Sequence, residues 1–125
     1  SAEPARPAAP TAEQLAFSLL AKPSTERVPF AGSGGGLLLA VGSGGRAALV
    51  VRGLEPAAPG WSYHAWVVSA DERPAYAGAF SGRERASFLN APVPAGASVV
   101  VGLAPEGRTP SRPVQPALVA TRSLP

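Results

Sequence analysis

Proline and glycine interrupt this sequence so often that a long helix has little room in it. The chain of 125 residues contains 15 Pro and 14 Gly. Proline breaks the helical hydrogen-bond ladder and glycine is costly inside a helix, so both favour turns between short elements. Apolar runs of strand length lie between these turns, among them "LLLAV" at 37–41 and "RAALVVRG" at 46–53. The spacing predicts short strands joined by many turns.

Seven or eight strands follow one another at the intervals typical of a β-sandwich or a barrel. We predict them at 26–30, 37–41, 46–53, 61–70, 75–80, 85–93, 97–104 and 114–121. The Gly-rich turn between 37–41 and 46–53 predicts a hairpin. Pro29 suits an edge strand, and Pro116 interrupts the last one. We therefore predict a mainly antiparallel β-sandwich, preceded by a short helix.

The helix is predicted at 12–21, where the apolar residues recur at helical spacing, unlike those of the strands that follow. Thr11 and Gln14 form a capping-box pattern, Leu15 and Leu19 recur at helical spacing, and Pro23 ends the segment. The Pro/Ala-rich residues 1–10 are typical of an extended linker. We expect one domain at 11–125 and, since the chain begins without Met, a longer parent protein.

Charge and composition argue against several classes of protein. Ten Arg and one Lys stand against eight acidic residues, and the arginines are scattered rather than interleaved with aromatic residues on one strand, so no nucleic-acid partner is predicted. The chain has no Cys and one His, which leaves no thiol chemistry and no metal-ligand set, so we expect no cofactor and no metal. No apolar run approaches the roughly 20 residues that span a bilayer.

The stretch "GWSYHAWVV" at 60–68 holds both Trp, one of the two Tyr and the only His. Alternation along a strand puts Trp61 and Tyr63 on one face and His64 and Trp66 on the other, so both faces carry large groups. This pattern favours a strand covered on both sides, with loops or the leading helix as the second cover. The competing interpretation is an aromatic stacking site for a sugar or a peptide.

Several residues are therefore candidates for the core or for a ligand site. Tyr63, Trp66 and Phe80 are predicted core residues, whereas Trp61 and Tyr76 are candidate ligand contacts. His64 could serve as a general base, but no nucleophile elbow or orienting acid accompanies it in the sequence, so no catalytic residue is predicted. The glycine runs lack the lysine and the following helix of a phosphate-binding loop, and are predicted to be turns.

Several segments, in their order, resemble one family. The motifs are "GLEP" at 53–56, Tyr63 and Trp66 in a Tyr-x-x-Trp strand, Gly78 and Phe80 in a Gly-x-Phe segment, "APEGRT" at 104–109 and "PSRPV" at 110–114. They resemble the C-terminal, extracytoplasmic domain of anti-sigma-K factors. Two positions depart from the family pattern, since Ala104 stands where Glu is usual and Arg108 where a second Gly is usual.

The resemblance implies a membrane protein of three parts. It implies a cytoplasmic domain that holds a sigma factor inactive, one membrane-spanning helix and an outer β-sandwich. This chain would be the outer β-sandwich. Residues 1–10 would then be the juxtamembrane linker, and an envelope protease would be a further partner. The implied function is non-catalytic control of sigma-factor release from the outer face of the cell membrane, through regulated proteolysis.

Two other functions remain open from the sequence. One is a secreted, non-catalytic β-sandwich that binds a carbohydrate or another envelope component. The other is a small hydrolase, which the lack of paired catalytic groups disfavours.

Overall fold

One α-helix, eight strands and a short 3-10 turn at Ser43–Gly45 make up the regular structure of the residues that the computed structural model describes, namely 11–32, 34–70, 73–110 and 117–122. The helix, α1, spans Ala12–Ala21. The strands are β1 Glu26–Pro29, β2 Leu37–Val41, β3 Ala47–Val51, β4 Trp61–Val68, β5 Ala75–Phe80, β6 Ala86–Phe88, β7 Ser98–Pro105 and β8 Ala117–Thr121. The predicted fold, a mainly β protein with a short N-terminal helix, is confirmed.

The strands form two four-stranded sheets in which every pairing is antiparallel. The first sheet has the order β1-β2-β3-β6 and the second the order β5-β4-β7-β8. β2 and β3 pair directly, as the hairpin prediction requires. β1, which contains Pro29, lies at an edge of the first sheet, where a residue without an N–H is tolerated.

α1 begins and ends where its sequence signals place it. The Thr11 hydroxyl accepts a hydrogen bond from the Gln14 N–H at 3.1 Å, and the Gln14 side-chain oxygen accepts one from the Thr11 N–H at 2.9 Å. These two bonds satisfy backbone donors that the first helical turn would otherwise leave free. Lys22, which precedes Pro23, is extended because a following proline disfavours helical geometry.

The inner core lies between the two sheets. It combines Leu37, Leu39 and Leu49 of the first sheet with Tyr63, Ala65, Val67, Phe80, Val99 and Val101 of the second. Aliphatic side chains dominate this core, so its three aromatic rings, those of Phe30, Tyr63 and Phe80, supply much of its buried area.

α1 covers the outer face of the first sheet. Its buried side chains are Ala16 and Leu19, and they pack against Ala40, Ala48, Val50 and Ala86. The first sheet is therefore buried on both faces, which explains the continuous apolar runs of β2 and β3.

The two sheets are joined along the edges formed by β1 and β8. The Ala31 N–H donates to the Val119 carbonyl oxygen at 2.8 Å. The Arg122 guanidinium donates to the Glu26 carboxylate at 3.3 Å and to the Val93 carbonyl oxygen at 2.7 Å. These contacts tie the end of the chain to the strand that follows α1.

Some sequence predictions lie outside the described residues and stay predictions. They are the linker at 1–10, positions 111–114 of "PSRPV" and the start of the last predicted strand at 114–116. No helix within the described ranges is long and apolar enough to cross a bilayer.

Candidate functional site

β4 directs alternate side chains to opposite faces of the second sheet. Tyr63, Ala65 and Val67 belong to the inner core. His64 and Trp66 lie on the other, outer face, yet they are only 2% and 0% exposed. The outer face of β4 is therefore covered as fully as the inner one.

Pro110, at the end of the segment 106–110 that follows β7, contributes to this cover. The Trp66 indole N–H donates to the Pro110 carbonyl oxygen at 2.9 Å, and the Glu106 N–H donates to the Gly60 carbonyl oxygen at 2.9 Å. α1, the other cover considered from the sequence, packs on the first sheet instead. We call residues 106–110 the crossing segment.

A β-bulge brings Tyr76 to the same outer face. Ala65 pairs with Gly78 while Trp66 pairs with Tyr76, so Ala77 has no partner of its own on β4. Without this extra residue, Tyr76 and Phe80 would share a face. Gly78 adopts φ +126°, which side chains disfavour, and an isolated glycine in a strand pattern is the sequence signal for such a bulge.

Three side chains on the outer face form a continuous hydrogen-bonded row. Ser62 Oγ lies 3.0 Å from His64 Nε2, and His64 Nδ1 lies 2.8 Å from the Tyr76 hydroxyl oxygen. Trp66 packs against the row, with its ring centroid 6.1 Å from that of Tyr76 in an edge-to-face arrangement. Burial raises the pKa of the Tyr76 phenol above its ordinary value, so this hydroxyl stays protonated and can donate.

A depression of about 420 Å³ lies between this row and the crossing segment. Its floor includes Ser62, His64 and Tyr76, and its rim includes Ser81 and the exposed residues 106–109. The sequence motif "APEGRT" therefore forms one wall of the depression. Of the two predicted ligand contacts, Tyr76 lies here.

The Ser62–His64–Tyr76 row resembles a catalytic triad in its order but differs in its third member. A carboxylate fixes the ring N–H of a catalytic histidine, whereas a tyrosine hydroxyl can donate to the ring or accept from it. These hydrogen bonds therefore do not fix which ring nitrogen of His64 carries the proton. Ser62 has no ring nitrogen that is held without a proton to act as its base. Within the described residues, no three His, Asp or Glu side chains converge as a metal site requires.

Tyr63 and Phe80 meet on the inner face of the second sheet. Their rings stack at 5.2 Å between centroids, and they are 8% and 4% exposed. The Tyr63 hydroxyl donates to the Glu55 carbonyl oxygen and so holds the loop between β3 and β4. Burial, and next the negative charge of Glu55, raise the pKa of the Tyr63 phenol.

Trp61, the other predicted ligand contact, lies apart from the depression. It is the first residue of β4, stands opposite Pro105 of β7 and is 46% exposed. Leu103, 45% exposed, lies on the neighbouring strand opposite Tyr63. The structure thus distributes the predicted aromatic residues over three places rather than one site.

The hydrogen-bonded row is the functional feature that sequence reasoning missed. The sequence shows no partner for His64, because Ser62 is an ordinary strand residue and Tyr76 lies 12 positions away. The i, i+2 spacing of Ser62 and His64 on one strand face was the available signal.

Comparisons with known proteins place the chain in one family. The family model described as "Anti-sigma-K factor rskA, C-terminal" matches residues 1–118. The match confirms the resemblance seen in the ordered motifs. No curated protein and no solved structure matches the chain significantly.

Proposed function

Since the chain belongs to the anti-sigma-K factor family as a C-terminal domain, we propose that it is the extracytoplasmic regulatory part of a membrane-bound anti-sigma factor. Family membership gives the domain a regulatory anti-sigma role and implies a sigma factor as partner. The proposal adds the location, the membrane anchor and control of sigma-factor release by proteolysis outside the cytoplasm.

The observation that carries this proposal is the way α1 is held at the start of the domain. Among the described side chains of the helix, Ala16 and Leu19 are buried and Leu20 is partly buried, while Leu15 and Phe17 are 38% and 44% exposed. A helix of 10 residues is marginal without tertiary packing. α1 therefore depends on a small contact with the first sheet.

Few hydrogen bonds reinforce that contact. The Glu13 carboxylate accepts from the Arg85 N–H at 3.1 Å, next to β6. The Thr25 hydroxyl donates to the Leu19 carbonyl oxygen, and the Arg27 guanidinium donates to the Leu20 carbonyl oxygen, but both bonds join residues close in the chain. The strands of the sandwich, by contrast, are paired along their length. Opening of α1 thus costs less than opening of the sheets.

The proposed control by proteolysis depends on how many molecules are open at any moment. A protease cuts the fraction of molecules in which its target segment is open. Within the described residues, α1 opens at a lower free-energy cost than the paired strands, and the predicted linker precedes it in the chain. A ligand that binds only the docked form lowers the open population by mass action, and one that favours the open form raises it.

Deletion of the sandwich in the host tests the proposal. Residues 26–125 are removed from the full-length protein while its membrane helix is kept, and sigma-dependent transcription is measured before and after envelope stress. We expect altered basal transcription and a lost stress response. A full-length protein with the surface exchange Gly53→Ala serves as the control. Wild-type transcription together with a wild-type stress response in the deletion would overturn the proposal.

A secreted binding module is the second candidate, and the depression on the second sheet favours it. The two candidates differ in what precedes Ser1 in the parent protein. About 20 apolar residues after a small cytoplasmic domain support the anti-sigma factor. A cleavable signal peptide supports the secreted module.

A further inference from the structure

The depression on the second sheet exists because its β4 floor has small neighbours. His64 pairs with Ala79 on one side and with Gly102 on the other, and Ser62 pairs with Ala104. None of these neighbours projects a side chain beyond a methyl group over the row. The resulting volume, about 420 Å³, falls in the range of roughly 300–1,000 Å³ of small-molecule sites.

The floor offers hydrogen-bonding capacity that the part of the chain described by the structure does not use. A ring nitrogen of His64 that carries a proton donates to the hydroxyl beside it, and one without a proton accepts from that hydroxyl. The hydroxyl that accepts from the ring keeps its own proton, and in either tautomer this is Ser62 or Tyr76. Each hydroxyl oxygen also retains a lone pair. A ligand can reach this row through the half-buried Tyr76 and through Ser62, which is 9% exposed, while His64, 2% exposed, lies behind them and sets which hydroxyl donates.

The rim adds groups of both charges. Glu106, Arg108 and Thr109 are exposed on the crossing segment. Ser81 stands across from them; its hydroxyl donates to Glu84 at 2.7 Å, and its oxygen accepts from the Arg83 N–H at 3.2 Å. One carboxylate and one guanidinium balance each other, so the rim favours neither an anion nor a cation by net charge.

We propose that this depression binds a polyhydroxylated ligand, a saccharide unit. Each hydroxyl of a saccharide both donates and accepts, which matches a floor of adaptable hydroxyls and a rim with one carboxylate and one guanidinium. An anion requires an excess of donors, and an apolar ligand leaves these polar groups without partners. Tyr76 supplies a partly exposed aromatic edge at the floor. The inference does not depend on where the domain resides.

Backbone amide NMR of the 125-residue chain tests the site. Methyl glucoside, methyl arabinoside and N-acetylglucosamine are titrated separately, with inorganic phosphate as the anionic probe. We expect saturable shifts with at least one saccharide, confined to 62–64, 76–81 and 106–109. Glu106→Gln and Thr109→Val should each weaken binding by about fivefold, as loss of one hydrogen bond does. Arg46→Ala, on the first sheet, should leave the affinity unchanged.

Three outcomes would overturn the proposal. The first is the absence of saturable shifts with every saccharide. The second is saturation by phosphate alone, with its loss in Arg108→Ala, which would make the depression an anion site. The third is saccharide binding that Glu106→Gln and Thr109→Val leave intact, which would place the ligand elsewhere. Retained amide dispersion in each variant shows that the variant is folded.

Discussion

Leu19 of α1 lies directly over Gly42, so that one of its methyl groups fills the space a Cβ at position 42 would occupy. Gly42 has φ −102°, which any L residue adopts, so the glycine is required here for room and not for its backbone freedom. Its N–H donates to the Arg46 carbonyl oxygen at 2.8 Å and closes the turn between β2 and β3. The packing of Leu19 on the turn after β2 thus depends on a single missing side chain.

Gly42→Ala should loosen α1 without unfolding the sandwich. The added methyl group overlaps Leu19, and overpacking of this kind costs about 1–3 kcal/mol. Hydrogen exchange of amides in 11–22 should therefore speed up, while exchange in β4 and β7 stays slow. Gly53→Ala is the matched control, because the nearest atom to its added methyl group is 4.0 Å away.

A double-mutant cycle checks the cause of that effect. In a Leu19→Ala background the methyl group at position 42 no longer meets Leu19, so Gly42→Ala should add little to helix exchange. Equal acceleration by Gly42→Ala in both backgrounds, or by Gly53→Ala, would show that the overlap is not responsible.

Trp66→Ala should destabilise the fold by about 3–5 kcal/mol, because the indole is fully buried on the outer face of β4. Trp66→Phe keeps most of the apolar area but leaves the Pro110 carbonyl oxygen without its donor, at a cost of about 1–3 kcal/mol. Urea unfolding of the two variants measures both values. A loss below 1 kcal/mol for Trp66→Ala would contradict the described burial.

Gly82→Ala and Gly60→Ala separate backbone strain from lack of space. Both glycines have positive φ, +90° and +83°, so both substitutions carry a strain of about 1–2 kcal/mol. Only at Gly82 does the new Cβ meet other atoms, the Tyr63 ring at 3.0 Å and the Glu55 carbonyl oxygen at 3.2 Å. Thermal unfolding should show the larger loss for Gly82→Ala. Equal losses of stability would mean that the loop that contains Gly82 moves away from Tyr63 without a further loss of stability.

Glu84 should contribute pH-dependent stability. Partial burial raises the pKa of its carboxyl, but hydrogen bonds from the Ser81 hydroxyl and from backbone N–H groups outweigh burial, so the pKa lies below its ordinary value. A lowered folded pKa stabilises the fold above the unfolded value of about 4.3, and this contribution is lost as the pH falls through the folded value.

Urea midpoints at neutral and acid pH test that contribution. Wild type should exceed Glu84→Gln in stability at neutral pH, and the difference should shrink as the pH falls below about 4. Glu106→Gln, at an exposed position, serves as the control. A difference that stays constant with pH would contradict the assignment.

The sequence predicted those parts of the fold that depend on local chemistry. The capping box of Thr11 and Gln14 placed the helix start, and Pro and Gly separated the strands. The sequence could not predict which sheet α1 would cover. That choice depends on contacts such as Leu19 with Gly42, which lie 23 positions apart in the chain. Long-range packing of this kind leaves no periodic signal.

The candidate site was harder to predict than the fold. Simple alternation puts Tyr76 on the face of Phe80, and only the bulge at Ala77 and Gly78 turns it toward His64. The crossing segment reaches Trp66 through a carbonyl oxygen, a group that every residue carries. The row of Ser62, His64 and Tyr76 therefore arises from register and loop path, which residue types alone do not specify.

The most direct test of regulation through α1 is sigma-dependent transcription in the host with Gly42→Ala in the full-length protein. Gly53→Ala is the matched control, and immunoblots follow the intact and cut forms. The account predicts that Gly42→Ala raises the cut fraction and changes transcription without stress, while Gly53→Ala behaves as wild type. Wild-type cutting and transcription in Gly42→Ala, with hydrogen exchange confirming a loosened α1, would contradict it.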